Sequence, residues 1–305
     1  MSYLKVSIII LNWNGLKDTI ECLESLKKIT YPNYKVIVVD NGSKGNDADI
    51  LEKRYKNYIK LIRNKENLGF AEGNNVAIRE VIKEGKSDYI LCLNNDTVIA
   101  DPDYLEKLVT IARGNPSCGV LGSLVLNYID NKVQSEWFAF SKWRGRFLPI
   151  HRNEAREKIT RELRFLRNNE YLNFSSVLIK PNIFNTVGLF PEDLFLYFED
   201  NIWEDRIRNT NLNIAICYTP ETFILHKGAS STGGYKKSVV LDYYDSRNFL
   251  YFIKKYYPLW LPYEILMSTV NKIMPKILRG EWVRLKYVLL GLGDFFKGKM
   301  GKFQN

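Results

Sequence analysis

The chain has 305 residues, 46% of them hydrophobic and 26% charged, with a formal net charge of +10. That composition excludes a disordered chain, and the length suits one large domain or one domain with an appendage. The charge is unevenly placed: residues 236–305 hold 13 Lys/Arg against 5 Asp/Glu, whereas the first 235 hold 31 against 29. In chain order, Val6 to Leu11 reads as a buried strand ending in Asn12-Trp13-Asn14-Gly15. Leu16 to Lys28 has the helical period, with Leu16, Ile20, Leu23 and Leu26 on one face. A second strand, Lys35 to Val39, ends in Asp40-Asn41-Gly42-Ser43, and Asp47 to Tyr58 follows as a helix. A third strand, Ile59 to Arg63, leads through Asn64 to Asn67-Leu68-Gly69-Phe70, then a helix from Ala71 to Glu84 that stops at Gly85. The fourth, Tyr89 to Leu93, breaks into Asn94-Asn95-Asp96.

Strands alternating with helices predict a parallel sheet with right-handed crossovers, and the four polar strand ends then share its carboxyl edge, where open α/β sheets bind ligands. Further on, Asp103 to Arg113 reads as a helix and Cys118 to Leu126 as a strand. Around Trp137 and Trp143 the pattern loosens, and the Arg/Glu-rich stretch from His151 to Asn169 reads as a loop or exposed helix. Tyr171 to Lys180 reads as one strand and Pro181 as a helix start. Leu194 to Phe198 is an apolar run ending in Glu199-Asp200, and on an extended segment those two carboxylates point opposite ways. Leu212 to Tyr218 is a strand, followed by the Gly/Ser-rich loop His226 to Gly234. Cys22, Cys92, Cys118 and Cys217 form no CxxC pair and read as reduced core thiols, which points to the cytosol.

After residue 235 the composition changes to aromatic and apolar clusters punctuated by Lys and Arg. No uninterrupted apolar run reaches the roughly 18 to 20 residues of a membrane span. Aromatics mixed with basic residues on short helices suit the interface of an anionic membrane. A helical cap with a solvated basic face, or an interface with a second copy, gives the same pattern.

Several residues carry candidate chemistry. Asp96, supported by Asn94, suits an oxygen ligand for Mg²⁺ or Mn²⁺, although Asn and Asp also simply turn a chain. His226, followed by Lys227-Gly228, offers an imidazole that favours Mn²⁺ somewhat, or is a packed strand-end histidine. Asp200 is a candidate general base and Asp40 a candidate for a ribose or base contact. No GxGxxG, GxxxxGK[ST] or GxSxG is present, which disfavours dinucleotide, P-loop and hydrolase chemistry, and no nucleic-acid module is seen.

The pieces Val6 to Asn14, Val38 to Ser43, Asn67 to Asn75, Leu93 to Thr97, Val187 to Phe190, Tyr197 to Asp200 and His226 to Gly228 stand in an order that resembles the family 2 glycosyltransferases, rhamnosyltransferase-like branch. The resemblance implies an α/β GT-A fold and inverting transfer from a nucleotide-activated sugar with a divalent metal, Mn²⁺ or Mg²⁺. It places Asp40 on the nucleoside, and Asn94 and Asp96 at the family's DxD metal motif. Asp200 would be the base, and His226 would complete the metal–diphosphate site. Asn12, Asn14, Asn41, Asn67, Gly69, Phe70, Gly73, Asn74 and Asn95 fall on the donor side, with Glu199, Ser175, Ser176 and Trp203 on the acceptor side. Three departures bear on the acceptor: Asn201-Ile202 replaces the x-Asp that often follows Glu-Asp, Pro191 interrupts the usual Phe-Asp-Glu, and Ser stands for Gly near Ser175-Ser176. The expected organisation is a catalytic domain over 1–235, divided near 100 into nucleotide and acceptor halves, and a basic helical region over 236–305. The expected setting is peripheral, on the inner face of the plasma membrane, with a glycan or lipid-linked acceptor. A non-catalytic, membrane-docked scaffold or sugar-nucleotide sensor of the same fold is the contrasting reading.

Overall fold

The computed structural model describes residues 3–210, 213–228 and 238–304. Its first part alternates strand and helix: β1 (Val6–Asn12), α1 (Leu16–Leu26), β2 (Tyr34–Asp40), α2 (Asp47–Tyr55), β3 (Ile59–Arg63), α3 (Gly69–Glu84) and β4 (Tyr89–Asn94). β1, β2 and β4 are runs of Val, Ile and Leu buried along most of their length, as strands covered on both faces require. Cys22, Leu23 and Leu26 of α1 join the core on one face of the sheet, and Ala77, Ile78 and Val81 of α3 the core on the other. Gly85 caps α3 in the left-handed conformation at φ 60°.

The chain continues through β5 (Thr97–Val98), α4 (Tyr104–Gly114), β6 (Cys118–Asn127), β7 (Val133–Ser135), β8 (Trp137–Ser141), β9 (Arg146–Pro149), β10 (Arg164–Phe165), β11 (Glu170–Leu172), β12 (Ser176–Ile179), α5 (Asn182–Val187), α6 (Glu199–Arg208) and β13 (Ala215–His226). The main sheet runs β10-β13-β6-β12-β4-β1-β2-β3, with β5 on β13 and β7 on β6. β1 pairs in parallel with β2 and β4, whereas β12 is antiparallel to both β4 and β6. β13 is parallel to β6, so its carboxyl end shares an edge with the ends of β1, β2 and β4.

Four expectations are corrected here. The loose aromatic stretch forms β8 and β9, which with β11 make a separate three-stranded antiparallel sheet. Of the two readings of His151 to Asn169 the loop holds and the exposed helix does not: the stretch is mostly loop, with a 3₁₀ turn at Arg156–Lys158 and β10, which pairs with β13. Tyr171 to Lys180 is two strands, because the Asn173 side chain accepts the Ser175 N–H at 3.1 Å and its hydroxyl at 2.7 Å, turning the chain between β11 and β12. Glu199 and Asp200 do not lie on a strand. They begin α6, so they are about 100° apart around a helix rather than on opposite faces.

The last helices are α7 (Val240–Tyr256), α8 (Leu261–Ser268), α9 (Met274–Leu278) and α10 (Trp282–Phe296), with a π turn at Thr269–Ile273 joining α8 to α9. Phe249, Leu250, Phe252 and Ile253 of α7 share a third core with Phe140, Tyr171, Leu194, Phe198 and Ile202. Gly291 lets α10 approach α7, since a Cβ there would collide with the Tyr243 carbonyl. The outward faces leave Leu259 93% and Leu278 79% exposed, with Trp282 and Phe296. Among the described residues no helix is long and apolar enough to cross a membrane. The loop from Ala229 to Gly234 and the boundary after 235 lie outside the described residues.

Candidate active site

The carboxyl edge of the sheet gathers the polar strand ends. Asn12 is paired with Asp40 across β1 and β2, and Asn94 lies beside Leu11. The Asn94 N–H donates to the Ser175 carbonyl at 2.9 Å, so the start of β12 joins the same edge.

Around Asp40 the amides are tied into a frame. The Asn12 Nδ2 donates to Asp40 Oδ1 at 2.9 Å, Asp47 Oδ2 at 3.2 Å and Ser43 Oγ at 3.2 Å. Asp40 is 4% exposed and takes the Ser43 hydroxyl at 2.7 Å and the Ser43 N–H at 3.2 Å. Asn14, at φ 50°, accepts the Lys44 N–H at 2.8 Å through its side chain. Asn41 donates to Asn67 Oδ1 at 3.1 Å and to the Gly69 carbonyl at 2.9 Å, while accepting from Asn64 and the Leu68 N–H. Such buried polar groups are worth their desolvation only when satisfied, and here they rigidify the loop ends around Asp40.

The second cluster forms around Asp96. Asp96 Oδ1 lies 3.1 Å from His226 Nε2, and the Asp96 carbonyl accepts the Lys227 N–H at 3.0 Å. The other ring nitrogen, Nδ1, lies 2.6 Å from Gln134 Oε1. In the tautomer whose Nδ1–H donates to Gln134, Nε2 faces the carboxylate as an acceptor. Two acceptors at that separation suit a shared cation. Among the described residues no three or more His, Cys, Asp or Glu side chains gather as a metal cage. Two protein ligands fit an Mg²⁺- or Mn²⁺-type ion that completes its shell with waters and substrate phosphates. The Lys227 side chain is spent elsewhere, on Asp18 at 2.7 Å and Glu21 at 2.6 Å of α1. Gln134 had no signal in the sequence, because it sits in a short strand of irregular pattern.

The third cluster is the entry to α6. Asp200 is half-buried, and burial pushes its carboxyl up to about 6, against the Asn201 N–H that donates to it at 2.8 Å. Glu199 is 4% exposed, with Oε2 unpartnered among the described residues. Burial, then the charge of Asp200, raises it well above the usual carboxylate range. The loop before them is strained. The Leu196 N–H donates to the Leu194 carbonyl at 2.9 Å, closing a γ-turn at Phe195 with φ 67° and ψ −51°. Tyr197 at φ 70° and Phe198 at φ 72° are also left-handed. Such backbone costs about 1–3 kcal/mol per residue and persists where surrounding contacts over-determine it. The loop meets the start of α3 directly: the Phe70 N–H donates to the Phe195 carbonyl at 2.8 Å. Gly69, at φ +87°, is needed there, because a Cβ would collide with that carbonyl.

Other predicted residues are placed away from the cleft surface. Trp203 is fully buried, donating to the Gly188 carbonyl at 2.9 Å and stacked on Phe184, so it is a core residue without a face for an acceptor. Ser176 is buried against the Tyr104 hydroxyl, whereas Ser175 stays near His226 at 3.4 Å. Asn95 is a strut to Thr19 of α1 at 3.0 Å. Gly73 packs α3 on β1, since a Cβ would stand 2.7 Å from Leu11. Asn74 caps back onto the Phe70 carbonyl at 2.9 Å. Asn75, to which no role was given, joins α3 to the Phe190 backbone and to Glu192, each bond at 2.9 Å.

With this geometry in hand, comparison with known proteins decides the family. The family model "Glycosyl transferase family 2" matches residues 7–174, more than half of the chain. The chain belongs to glycosyl transferase family 2. This family 2 chain is 26% identical over 231 residues to the N-acetylglucosaminyl-diphospho-decaprenol L-rhamnosyltransferase of Mycobacterium tuberculosis, covering 69% of this chain and 72% of that one. It is 34% identical over 112 residues to an uncharacterized glycosyltransferase of Haemophilus influenzae, covering 37% of this chain and 36% of that one. It is 29% identical over 117 residues to the poly-beta-1,6-N-acetyl-D-glucosamine synthase of Staphylococcus epidermidis, covering 38% of this chain and 27% of that one. The matches thus span about a third or less of the last two relatives. Among solved structures, the Pyrobaculum calidifontis mannosyltransferase PcManGT in complex with GDP-Man and Mn²⁺ superposes with a TM-score of 0.60 at 13% identity, over 98% of this chain and 89% of that one. S. aureus TarS 1-349 in complex with UDP-GlcNAc gives 0.56 at 18% identity, over 97% and 82%. These likenesses show the fold, which is GT-A.

Proposed function

We propose that this family 2 chain is an inverting glycosyltransferase. It moves a sugar from a nucleotide diphosphate donor, dTDP-rhamnose or a UDP-sugar, to a glycan or lipid-linked acceptor in cell-surface polysaccharide synthesis. The observation that carries the reading is the meeting of Asp96 Oδ1 and His226 Nε2 at 3.1 Å, on the sheet edge where β1 and β2 end in Asn12 and Asp40. Asp40, steadied by Asn12 and Ser43, takes the nucleoside. Asp96 and His226 hold a divalent ion, Mn²⁺ or Mg²⁺. When bound, that ion supplies charge neutralisation to the departing diphosphate. Asp200 accepts the proton of the acceptor hydroxyl as its oxygen bonds to the anomeric carbon. The bond from that carbon to the phosphate oxygen breaks on the opposite face, its electron pair leaving with the diphosphate, so the anomeric configuration inverts. Ser175 and Glu199 remain the acceptor-side candidates.

The setting we propose is the inner face of the plasma membrane. Leu259, Leu278, Trp282 and Phe296 are exposed, as are Lys286, Lys297 and Lys299, and a basic side chain near anionic lipid contributes about 1 kcal/mol. In this reading the catalytic domain spans 1–235 and the basic helical region 236–305.

The test is nucleoside diphosphate release from a panel of sugar nucleotides with Mn²⁺ and lipid-linked acceptors. The wild-type kcat/KM should fall below about pH 6, where Asp200 takes up a proton and can no longer accept one. Asp200→Asn should lose turnover and keep donor binding. Donor binding without turnover across the whole panel would favour the scaffold reading, and full activity in Asp200→Asn would remove Asp200 from the base role.

A further inference from the structure

The strained loop from Leu194 to Phe198 sets where α6 begins and hence where Asp200 stands. What holds it comes from the far end of the chain. The Asn248 side chain, wholly buried on α7, donates to the carbonyls of Leu194 at 3.1 Å, Leu196 at 2.8 Å and Tyr197 at 3.2 Å. Its own Oδ1 accepts from Arg247 Nε at 2.8 Å, which fixes the amide with its NH₂ towards the loop. Arg247 is also wholly buried. It donates to the Leu194 carbonyl at 3.0 Å, the Tyr243 hydroxyl at 3.1 Å and the Gly301 carbonyl at 2.8 Å. No carboxylate stands among its hydrogen-bond partners in the described residues. The guanidinium also lies over the rings of Tyr243 and Tyr244, 5.1 and 5.3 Å from their centroids. Burying it with no carboxylate partner is still costly, and a hydrophobic residue would fill the space more cheaply. Each of the three carbonyls precedes a residue with positive φ, namely Phe195, Tyr197 and Phe198, and a donor cluster aimed at them satisfies the backbone in that form.

We propose that Arg247 and Asn248 are positioning residues for catalysis, which together hold the Leu194–Phe198 loop in its strained form and so place Asp200 against the acceptor. The inference rests on Asp200 being the base of the proposed transfer. It makes α7 a working part of the active site, because the region assigned to a basic appendage supplies the clamp. The loop meets the proposed donor side at Phe195, through the Phe70 N–H on its carbonyl and the close approach of Gly69, and not at the carbonyls the clamp holds, so nucleotide affinity and the base's position respond differently to loss of the clamp.

The experiment is Asn248→Asp, which keeps the shape and replaces the donor with an acceptor facing three carbonyls, alongside Arg247→Lys, which keeps the charge and loses the planar fork. The expected result for Asn248→Asp is a fall in kcat of about 100-fold, the scale at which a misplaced group is felt. The calorimetric affinity for nucleoside diphosphate with Mn²⁺ should stay within about twofold and the acid limb of the pH profile should move, because the burial around Asp200 changes. Arg247→Lys should fall in between. Adding Tyr197→Gly to Asn248→Asp relaxes the left-handed position and should restore at least about tenfold of kcat, since glycine takes φ > 0 freely. Hydrogen exchange of the amides of residues 196–202 should speed up in Asn248→Asp, a readout independent of turnover. Turnover within twofold of wild type, or a parallel loss of nucleotide binding and kcat with no rescue by Tyr197→Gly, overturns the proposal. If Asn248→Asp does not fold, the same arms are read on Arg247→Lys. A wild-type chain without turnover, its loop amides protected through Asn248, would instead overturn the transfer reading.

Discussion

Asp96 and His226 show how much one contact changes the meaning of a residue. Alone, each reads equally well as a turn or a packed side chain. At 3.1 Å, with Gln134 at 2.6 Å from the far ring nitrogen, they stand close enough to serve the cation site proposed for them. Asp96→Ala should therefore abolish the gain in nucleotide affinity that Mn²⁺ provides, leaving the metal-free affinity unchanged. Gln134→Leu should weaken Mn²⁺ binding about 10–100-fold, as loss of a partner behind a histidine ligand does. Calorimetry and the spectrum of bound Mn²⁺ check both, and equal affinities with and without metal in the wild type would sink the assignment. Asp96 and His226 were legible in the sequence because polar residues at strand ends stand out. Gln134, Arg247 and Asn248 were not, since their work depends on partners 51 to 92 positions away.

At the scale of elements, the four leading strands and their helices follow the hydrophobic period closely, because each is a long run with its own signal. The misread segments are short and paired at a distance. β8 meets β11, and the β8–β9 hairpin is pinned by α8. There Gly145, at φ +56°, sits where a Cβ would collide with Glu264. Glu264 is wholly buried with both carboxyl oxygens unpartnered among the described residues, and burial raises it to about 7. A carboxyl whose folded value is raised favours the folded state while protonated and loses that contribution as pH climbs from its unfolded value of 4.5 to about 7. Glu264→Gln should accordingly raise the urea midpoint at pH 8 and change it little at pH 4.5. An equal shift at both would show that Glu264 finds a partner in solution.

Across the whole molecule, the third core ties the basic end of the chain to β8 and the start of α6 through Phe140, Phe198, Phe249 and Phe252. Deleting α7 to α10 would open that core, so membrane contact is better tested on the surface. Lys286→Glu with Lys297→Glu and Lys299→Glu should reduce sedimentation with phosphatidylserine vesicles and leave binding to neutral vesicles unchanged. Equal sedimentation with anionic vesicles would leave these helices as a structural cap. All four cysteines are buried and free, as their apolar settings predict.

The sequence by itself determined the alternating α/β order, the parallel core of the sheet, the polar carboxyl edge and the family, because these rest on local periodicity and on motifs read in chain order. Only the tertiary structure decided which of those polar residues meet. It brought β13 alongside β6 so that His226 reached Asp96, turned Glu199-Asp200 into a helix start and buried Trp203. It also laid Arg247 and Asn248 across a strained loop. Such contacts join residues far apart in the chain, and their free energy comes from burial and from directional hydrogen bonds that exist only once the layers have packed.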